Sequence, residues 1–340
     1  MERRQVLKGL AAGVAVGLSA PNIVRAQTTV LTMSSWLPPQ SLLYDNLINV
    51  WREDIARLTA GRLSIELLEK PLGPPPAHLG LLQESKCDIA YTLHGYTPDR
   101  FLRARVGQFS FLGDSFSVSQ AFSKVYNDTL NAPEEHPGIE ILGLFQHGPG
   151  VLMLKDRKIR SAKDFEGLRV RTSGGYIGSV LEDLGAINKP MSPFAVAEAL
   201  ASNEIDGVAF PYEAAPAFKV TDQINYVSEV PGGYYNASWF LGMSAGGVAK
   251  VSQQDLKILR DYSRSTIHVL AAKAFDFADY LAKEEIVARG IEVEPANDEV
   301  LSTLRQASLR YEQEWDAQLK ATGYDGAYAL QQTRELTGQS

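Results

Sequence analysis

The chain reads as an α/β protein, and its mature length of about 310 residues implies two domains. Strand-length apolar runs alternate with helical runs from Thr29 onward, the pattern of a sheet with crossover helices. Hydrophobic residues make up 45% of the chain and charged residues 21%, enough apolar surface for a large core. No low-complexity tract and no internal repeat interrupts the alternation.

The first segment, Met1–Ala26, has the layout of an export signal. Arg3-Arg4 precedes Gln5-Val6-Leu7-Lys8, in the manner of a twin-arginine signal. An apolar stretch follows from Leu10 to Ala20, then a small-residue cleavage site at Val24-Arg25-Ala26. The apolar stretch falls short of the ~20 residues that span a bilayer. Retention as an uncleaved anchor stays open. Cleavage removes Arg3, Arg4, Lys8 and Arg25 with Glu2, a net three positive charges, taking the formal charge from −7 to about −10. A chain this acidic lacks the basic face that nucleic acid requires. The single Cys87 excludes an intramolecular disulfide, and its apolar setting suits a buried thiol.

Val30–Ser34 reads as the first strand. Leu42–Leu58 follows as a helix, with Leu43, Leu47, Val50, Trp51 and Leu58 near helical spacing. Leu63–Leu68 is a strand ended by Pro71, Leu79–Glu84 is helical, and Asp88–Leu93 is a strand. Pro74-Pro75-Pro76 is a stiff surface turn rather than a linker. Pro133–Pro137 is a solvated loop before the strand Ile139–Phe145. Ser161 with Asp164 opens a one-turn helix as an N-cap. Lys250–Gly290 is the longest helical stretch, opened by Ser252 and closed by Gly290. Its apolar positions, among them Leu256, Leu259, Ile267, Leu270, Phe275 and Phe277, form no single stripe. A helix touching different surfaces along its length has that pattern, as does one buried in a single core.

The richest stretch runs from Ser161 to Pro211. It contains Gly167-Leu168-Arg169-Val170-Arg171, a Gly174-Gly175 turn, Leu184-Gly185-Ala186, Pro190-Met191 and Asp206-Gly207, with short helices between. Arg171 ends a short apolar strand just before a glycine-opened helix. A guanidinium there offers two parallel hydrogen bonds to a carboxylate, and a helix start adds positive potential.

In this order the pieces resemble the solute-binding proteins of TRAP transporters, the DctP-type bacterial extracellular receptors. Gly61-Arg62-Leu63-Ser64-Ile65, Leu72-Gly73 and Cys87-Asp88-Ile89-Ala90 add sparser matches upstream. The resemblance implies a type II periplasmic-binding-protein fold, with two α/β lobes, a ligand cleft between them and a long helix under both. Lobe one would hold residues 28–148 and 236–276, lobe two residues 149–235 and 277–330. It also implies a carboxylate ligand on Arg171, TRAP permease subunits as partners and a periplasmic location. The chain is expected to be a monomer with no cofactor and no enzymatic activity.

The departures from the family pattern bear on the ligand. Many members carry asparagine just before the proline of D-G-x-x-N-P, where this chain has Phe210 before Pro211. No second arginine occurs in Gly148-Pro149-Gly150-Val151. The strand starting at Asp88 ends in Leu93, His94 and Tyr96 where some relatives have charged residues. Trp36, Tyr212, Asn236 and Trp239 complete the expected site. An apolar wall disfavours a sugar acid, whose hydroxyls would lose water without gaining partners. An aryl 2-oxo or 2-hydroxy acid fits it. His94 and His147 follow strands at the lobe edge and are candidates to bond a keto or hydroxyl oxygen.

His78, His136 and His268 read as structural. No histidine pair has metal-ligand spacing, and no acidic insertion before Trp239 suggests calcium. One motif points elsewhere. Gly242-Met243-Ser244-Ala245-Gly246 matches the G-x-S-x-G of a serine hydrolase, for which His268 is the only downstream histidine.

Overall fold

The computed structural model describes residues 28–339. The signal segment Met1–Ala26 lies outside them. Eleven strands occur among the described residues, in two sheets. The first sheet contains β1 (Thr29–Ser34), β2 (Leu63–Leu67), β3 (Ile89–Leu93), β4 (Ile139–Gln146) and β10 (Ser238–Ser244), in the order β2-β1-β3-β10-β4. The second contains β5 (Val151–Leu154), β6 (Arg169–Thr172), β7 (Ile187–Pro190), β8 (Gly207–Phe210), β9 (Tyr226–Glu229) and β11 (Glu292–Pro295), in the order β11-β9-β5-β8-β6-β7. β1 is parallel to β2 and β3, and β6 is parallel to β7 and β8. β10 runs antiparallel to β3 and β4, and β5 antiparallel to β8 and β9. A late strand completing an early sheet forces the chain to cross between the lobes.

Two crossings lie side by side. The Gly150 amide donates to the Tyr235 carbonyl at 2.9 Å, and the Tyr234 amide donates to the Gly150 carbonyl at 2.9 Å. Glycine is required at Gly150, where a Cβ would meet the Tyr235 ring at 2.1 Å. It is also required at Gly148, where a Cβ would lie 1.9 Å from the Asp279 carboxylate.

The long helix spans Gln253–Ala288, about 54 Å at 1.5 Å per residue. Ser252 caps it by accepting from the Asp255 amide at 3.1 Å, and Gly290 follows its end at φ +77°. Its first half packs beneath the first sheet, where Ile267 fills the space beside Gly143 and Trp51 donates to Ser263 Oγ at 2.9 Å. Its second half meets the other lobe. Asp279 accepts from the Glu213 amide, Lys283 pairs with Glu229, and Arg289 pairs with Asp222. Changing contact surfaces explain why its apolar positions form no single stripe. The C-terminal helices lean back on the first lobe. Trp315 of Asp298–Lys320 donates to the Leu102 carbonyl at 2.7 Å, and Gly326–Thr337 packs along Ser115–Asp128.

Some expected elements differ in detail. The helix expected over Leu42–Leu58 starts with wider π-type winding at Tyr44–Asn49 and becomes regular only at Val50–Leu58. The wider turn lets Leu43 and Ile48, five apart, face the same apolar space as Leu47 and Trp51. The triple-proline turn is not wholly on the surface: Pro75 is buried, and its carbonyl accepts from Thr92 Oγ1 at 3.1 Å. Ser161 and Asp164 form the full reciprocal capping box rather than a lone cap.

Candidate functional site

Both sheets turn the carboxyl ends of their parallel strands toward one cleft, the usual ligand edge of an α/β sheet. Trp36 follows β1, Leu93 ends β3 with Tyr96 in the helical turn after it, and Trp239 lies on β10. Arg171, Ser173, Phe210 and Glu213 come from β6, β8 and the loops after them, and His147 and Tyr235 from the crossings. These side chains line a cleft of about 440 Å³, part of it open to solvent. On one flank the lobes touch, with Gly174 and Gly175, at φ +86° and +69°, close to the backbone of Gly95.

Arg171 is 2% exposed. Its Nε and Nη2 both donate to the Met191 carbonyl, at 3.1 and 2.9 Å, leaving the remaining guanidinium N–H groups for another acceptor. Its Cζ lies 4.5 Å from the centre of the Phe210 ring, a cation–π contact that also braces the fork. Burial pulls its pKa below the ordinary arginine value, while Tyr96 and Tyr235 nearby favour the charge. No carboxylate among the described residues pairs with it. A buried charge without a counterion costs several kcal/mol, so the arrangement favours an anion in the cavity. The following helix begins at Tyr176 with Gly175 as its N-cap, and the Gly174 amide before it bonds Thr172 Oγ1 at 3.0 Å.

The opposing wall is aromatic. Trp36 stacks on Trp239 at 5.2 Å and 12°, and Phe145 stacks on the far face of the group at 5.7 Å and 19° from Trp239. Trp36 Nε1 donates to the Tyr91 carbonyl at 3.1 Å. Trp239 Nε1 is buried and has no partner. Tyr96 meets Trp36 edge-on at 6.4 Å. His147 is buried, and burial draws its pKa down to about 4, leaving the ring neutral. Its Nδ1 bonds the Gly148 carbonyl, which assigns the proton to that nitrogen and leaves Nε2 an acceptor.

Six expected site residues therefore line one cavity: Arg171, Phe210, Trp239, Tyr96, His147 and Trp36. Three do not. His94 is turned to the opposite side of β3 from Leu93, where Nδ1 bonds Ser238, Nε2 bonds His136 at 3.1 Å, and Phe101, Phe122, Tyr126 and Phe240 surround it. Tyr212 points away from the cavity that its neighbours Pro211 and Glu213 line, and donates to Glu229 at 2.8 Å. Asn236 is buried in a crossing, its Nδ2 on the Gly232 carbonyl, while Tyr235 takes the cavity side. In each case the neighbouring residue occupies the cleft instead.

Sequence reasoning missed Tyr235, Glu213, Leu37, Ser173, Pro193 and Phe218. Glu213 had a signal: one acid inside the otherwise uncharged run Phe210–Ala215. The hydrolase motif is a structural cap. Ser244 is fully buried, and its Oγ accepts from the Gly247 amide at 3.0 Å at the start of Ala245–Lys250. No histidine is among its partners. Among the described residues no trio of His, Cys, Asp or Glu side chains is placed to hold a metal, and no helix is long and apolar enough to cross a membrane.

Residues 33–318 match the family described as Bacterial extracellular solute-binding protein, family 7. A TRAP periplasmic solute-binding protein from Bordetella bronchiseptica, solved with (R)- and (S)-mandelate, is 31% identical with a TM-score of 0.88, covering 91% of this chain and 99% of its own. A TRAP solute-binding protein from Rhodoferax ferrireducens, solved with copurified benzoate, is 27% identical with a TM-score of 0.83, covering 92% and 98%. The outer membrane transporter protein TsaT of Comamonas testosteroni is 25% identical over 312 residues, 91% of this chain and 92% of its own. A match across most of the chain and a two-lobed fold shared with TRAP receptors lead to one assignment: the chain belongs to bacterial extracellular solute-binding protein family 7, the DctP-type receptors of TRAP transporters.

Proposed function

We propose that this TRAP solute-binding receptor captures an organic-acid anion with a hydrophobic, aromatic body, such as an aryl 2-oxo or 2-hydroxy acid. The observation that carries the reading is the buried Arg171 fork, which has no carboxylate partner and lies in a cavity walled by aromatic rings. The ligand carboxylate completes the ion pair. Its ring packs among Phe210, Trp36, Tyr96 and Trp239. Two similar receptors, solved with mandelate and with benzoate, support the ligand class.

Capture proceeds by closure of the lobes, 28–148 with 236–276 against 149–235 with 277–330. Only the closed form lets a ligand touch both walls, so binding shifts the hinge equilibrium. The closed surface is then presented to a TRAP permease, after export by the twin-arginine segment. No bond is made or broken.

Isothermal calorimetry with benzoate, (R)-mandelate and galacturonate tests the reading, alongside native mass spectrometry for a retained acid. Binding of an aryl acid at least a hundredfold tighter than galacturonate is expected. Equal or tighter binding of galacturonate would overturn it.

A further inference from the structure

Glu213 sits in the cavity wall on the loop after β8, 9% exposed, with no hydrogen bond to its carboxyl among the described residues. Its amide donates to Asp279 Oδ1 at 2.7 Å, which anchors the loop on the long helix. The other Asp279 oxygen lies against Gly148, where only glycine leaves room for it. Glu213 in the cavity wall and Asp279 behind it thus lie together, with no paired cation among the described residues. Lys283, the nearest cation along the helix, is engaged by Glu229. Arg171 lines the same cavity but forms no pair with Glu213, and Tyr235 is within electrostatic reach of both. Trp239, another residue of this cavity's wall, has a buried indole N–H with no partner among the described residues. The cavity wall therefore carries unused polar atoms at two places, the Arg171 guanidinium and the Glu213 carboxyl.

We propose that Glu213, held by Asp279, is a second recognition pole that hydrogen-bonds an oxygen substituent on the ring of the aryl acid whose carboxylate Arg171 holds. The inference rests on the aryl-acid reading above and deepens it. A carboxyl in this position is useful to an anion receptor only while it carries its proton. Burial first, and the adjacent Asp279 second, push the Glu213 pKa up to about 8. Burial likewise pushes Asp279 up to about 7, with Asp276 adding to the rise. The other titratable groups around the pair are His147 and Tyr235 from the crossings, Tyr212 on its own loop, and Lys283 and Glu285 on the long helix. Below its pKa Glu213 is a neutral donor. Above it, a second negative charge enters the cavity and repels the ligand.

Calorimetric titration of benzoate, 3-hydroxybenzoate and 4-hydroxybenzoate at pH 6.5 and 9 tests this, with wild type, Glu213→Gln and Glu213→Leu, each first checked for folding by circular dichroism. In wild type at pH 6.5 one hydroxybenzoate should bind at least tenfold more tightly than benzoate. Glu213→Leu should lose that preference. Glu213→Gln should keep the preference and show a smaller fall in benzoate affinity between pH 6.5 and 9 than wild type, the remainder coming from Asp279. Benzoate binding with no hydroxyl preference in wild type, or a preference that survives in Glu213→Leu, overturns this inference alone. Failure of wild type to bind any of the three acids overturns the aryl-acid reading beneath it.

Discussion

Replacing Arg171 with alanine tests the centre of the site. The side chain is 2% exposed and already fixed by two bonds to Met191 O and by the Phe210 ring, so little ordering remains when a ligand arrives. Each charge-assisted hydrogen bond to a carboxylate contributes about 1.5–3 kcal/mol. Removing one partner of a buried ion pair costs about 3–5 kcal/mol, because the other charge stays desolvated. At about 1.4 kcal/mol per tenfold, Arg171→Ala should weaken an aryl acid by roughly two to three and a half orders of magnitude. The same loss appears in thermal unfolding. Ligand at a thousand times Kd stabilises by about 4.1 kcal/mol, and a chain of this size gains about 2 °C per kcal/mol, so wild type should shift by ~8 °C. At the same ligand concentration the alanine variant should shift by less than ~3 °C. Arg171→Lys keeps the charge but not the fork, and should fall between the two. Calorimetry with benzoate supplies the direct measurement. Retention of wild-type affinity within fivefold by Arg171→Ala would refute the reasoning.

Two further outcomes follow. Phe210→Asn removes a ring that the guanidinium faces at 4.5 Å, a contact of about 0.5–2 kcal/mol, and adds a polar group; benzoate affinity should drop roughly tenfold by calorimetry while galacturonate gains, and an unchanged ratio counts against the aromatic wall. Burial holds both His136 and His147 at about 4, so the unfolded chain binds more protons than the folded one below about 6.5. Stability is therefore full above about pH 6.5 and declines as pH falls toward 4, by about 2 kcal/mol per histidine between pH 7 and 5. Urea midpoints should record the decline, His136→Phe should reduce it, and equal midpoints at pH 7 and 5 would contradict it.

Much of this architecture was legible in residue order. Alternation of strand and helix gave the class, and Arg171 before Gly174-Gly175 marked a strand end that lines the cavity. The aromatic wall was legible because Trp36, Phe210 and Trp239 each stand at or beside a strand end. The errors share one cause. Sequence position locates a strand end to within a residue or so, whereas side chains on successive residues diverge. A slip of one residue puts His94 behind the sheet in place of Leu93, Asn236 in place of Tyr235, and Tyr212 in place of Glu213. Ser244 is a different case, a motif with two readings. A G-x-S-x-G string is also what a strand needs to enter a short helix with a serine cap, and only burial and partners separate the two uses.

The shared rod from Gln253 to Ala288 also limits how the gene can be cut. Neither lobe is an autonomous module: excised by itself, each would lack one half of the rod and leave its apolar seat open to water. Chimaeras that exchange a whole lobe between relatives must split the rod and rejoin it in register, while exchanges confined to 151–229 leave it whole. Recombination should therefore tolerate new ligand walls built from β5 to β9 far more readily than new partners for β10.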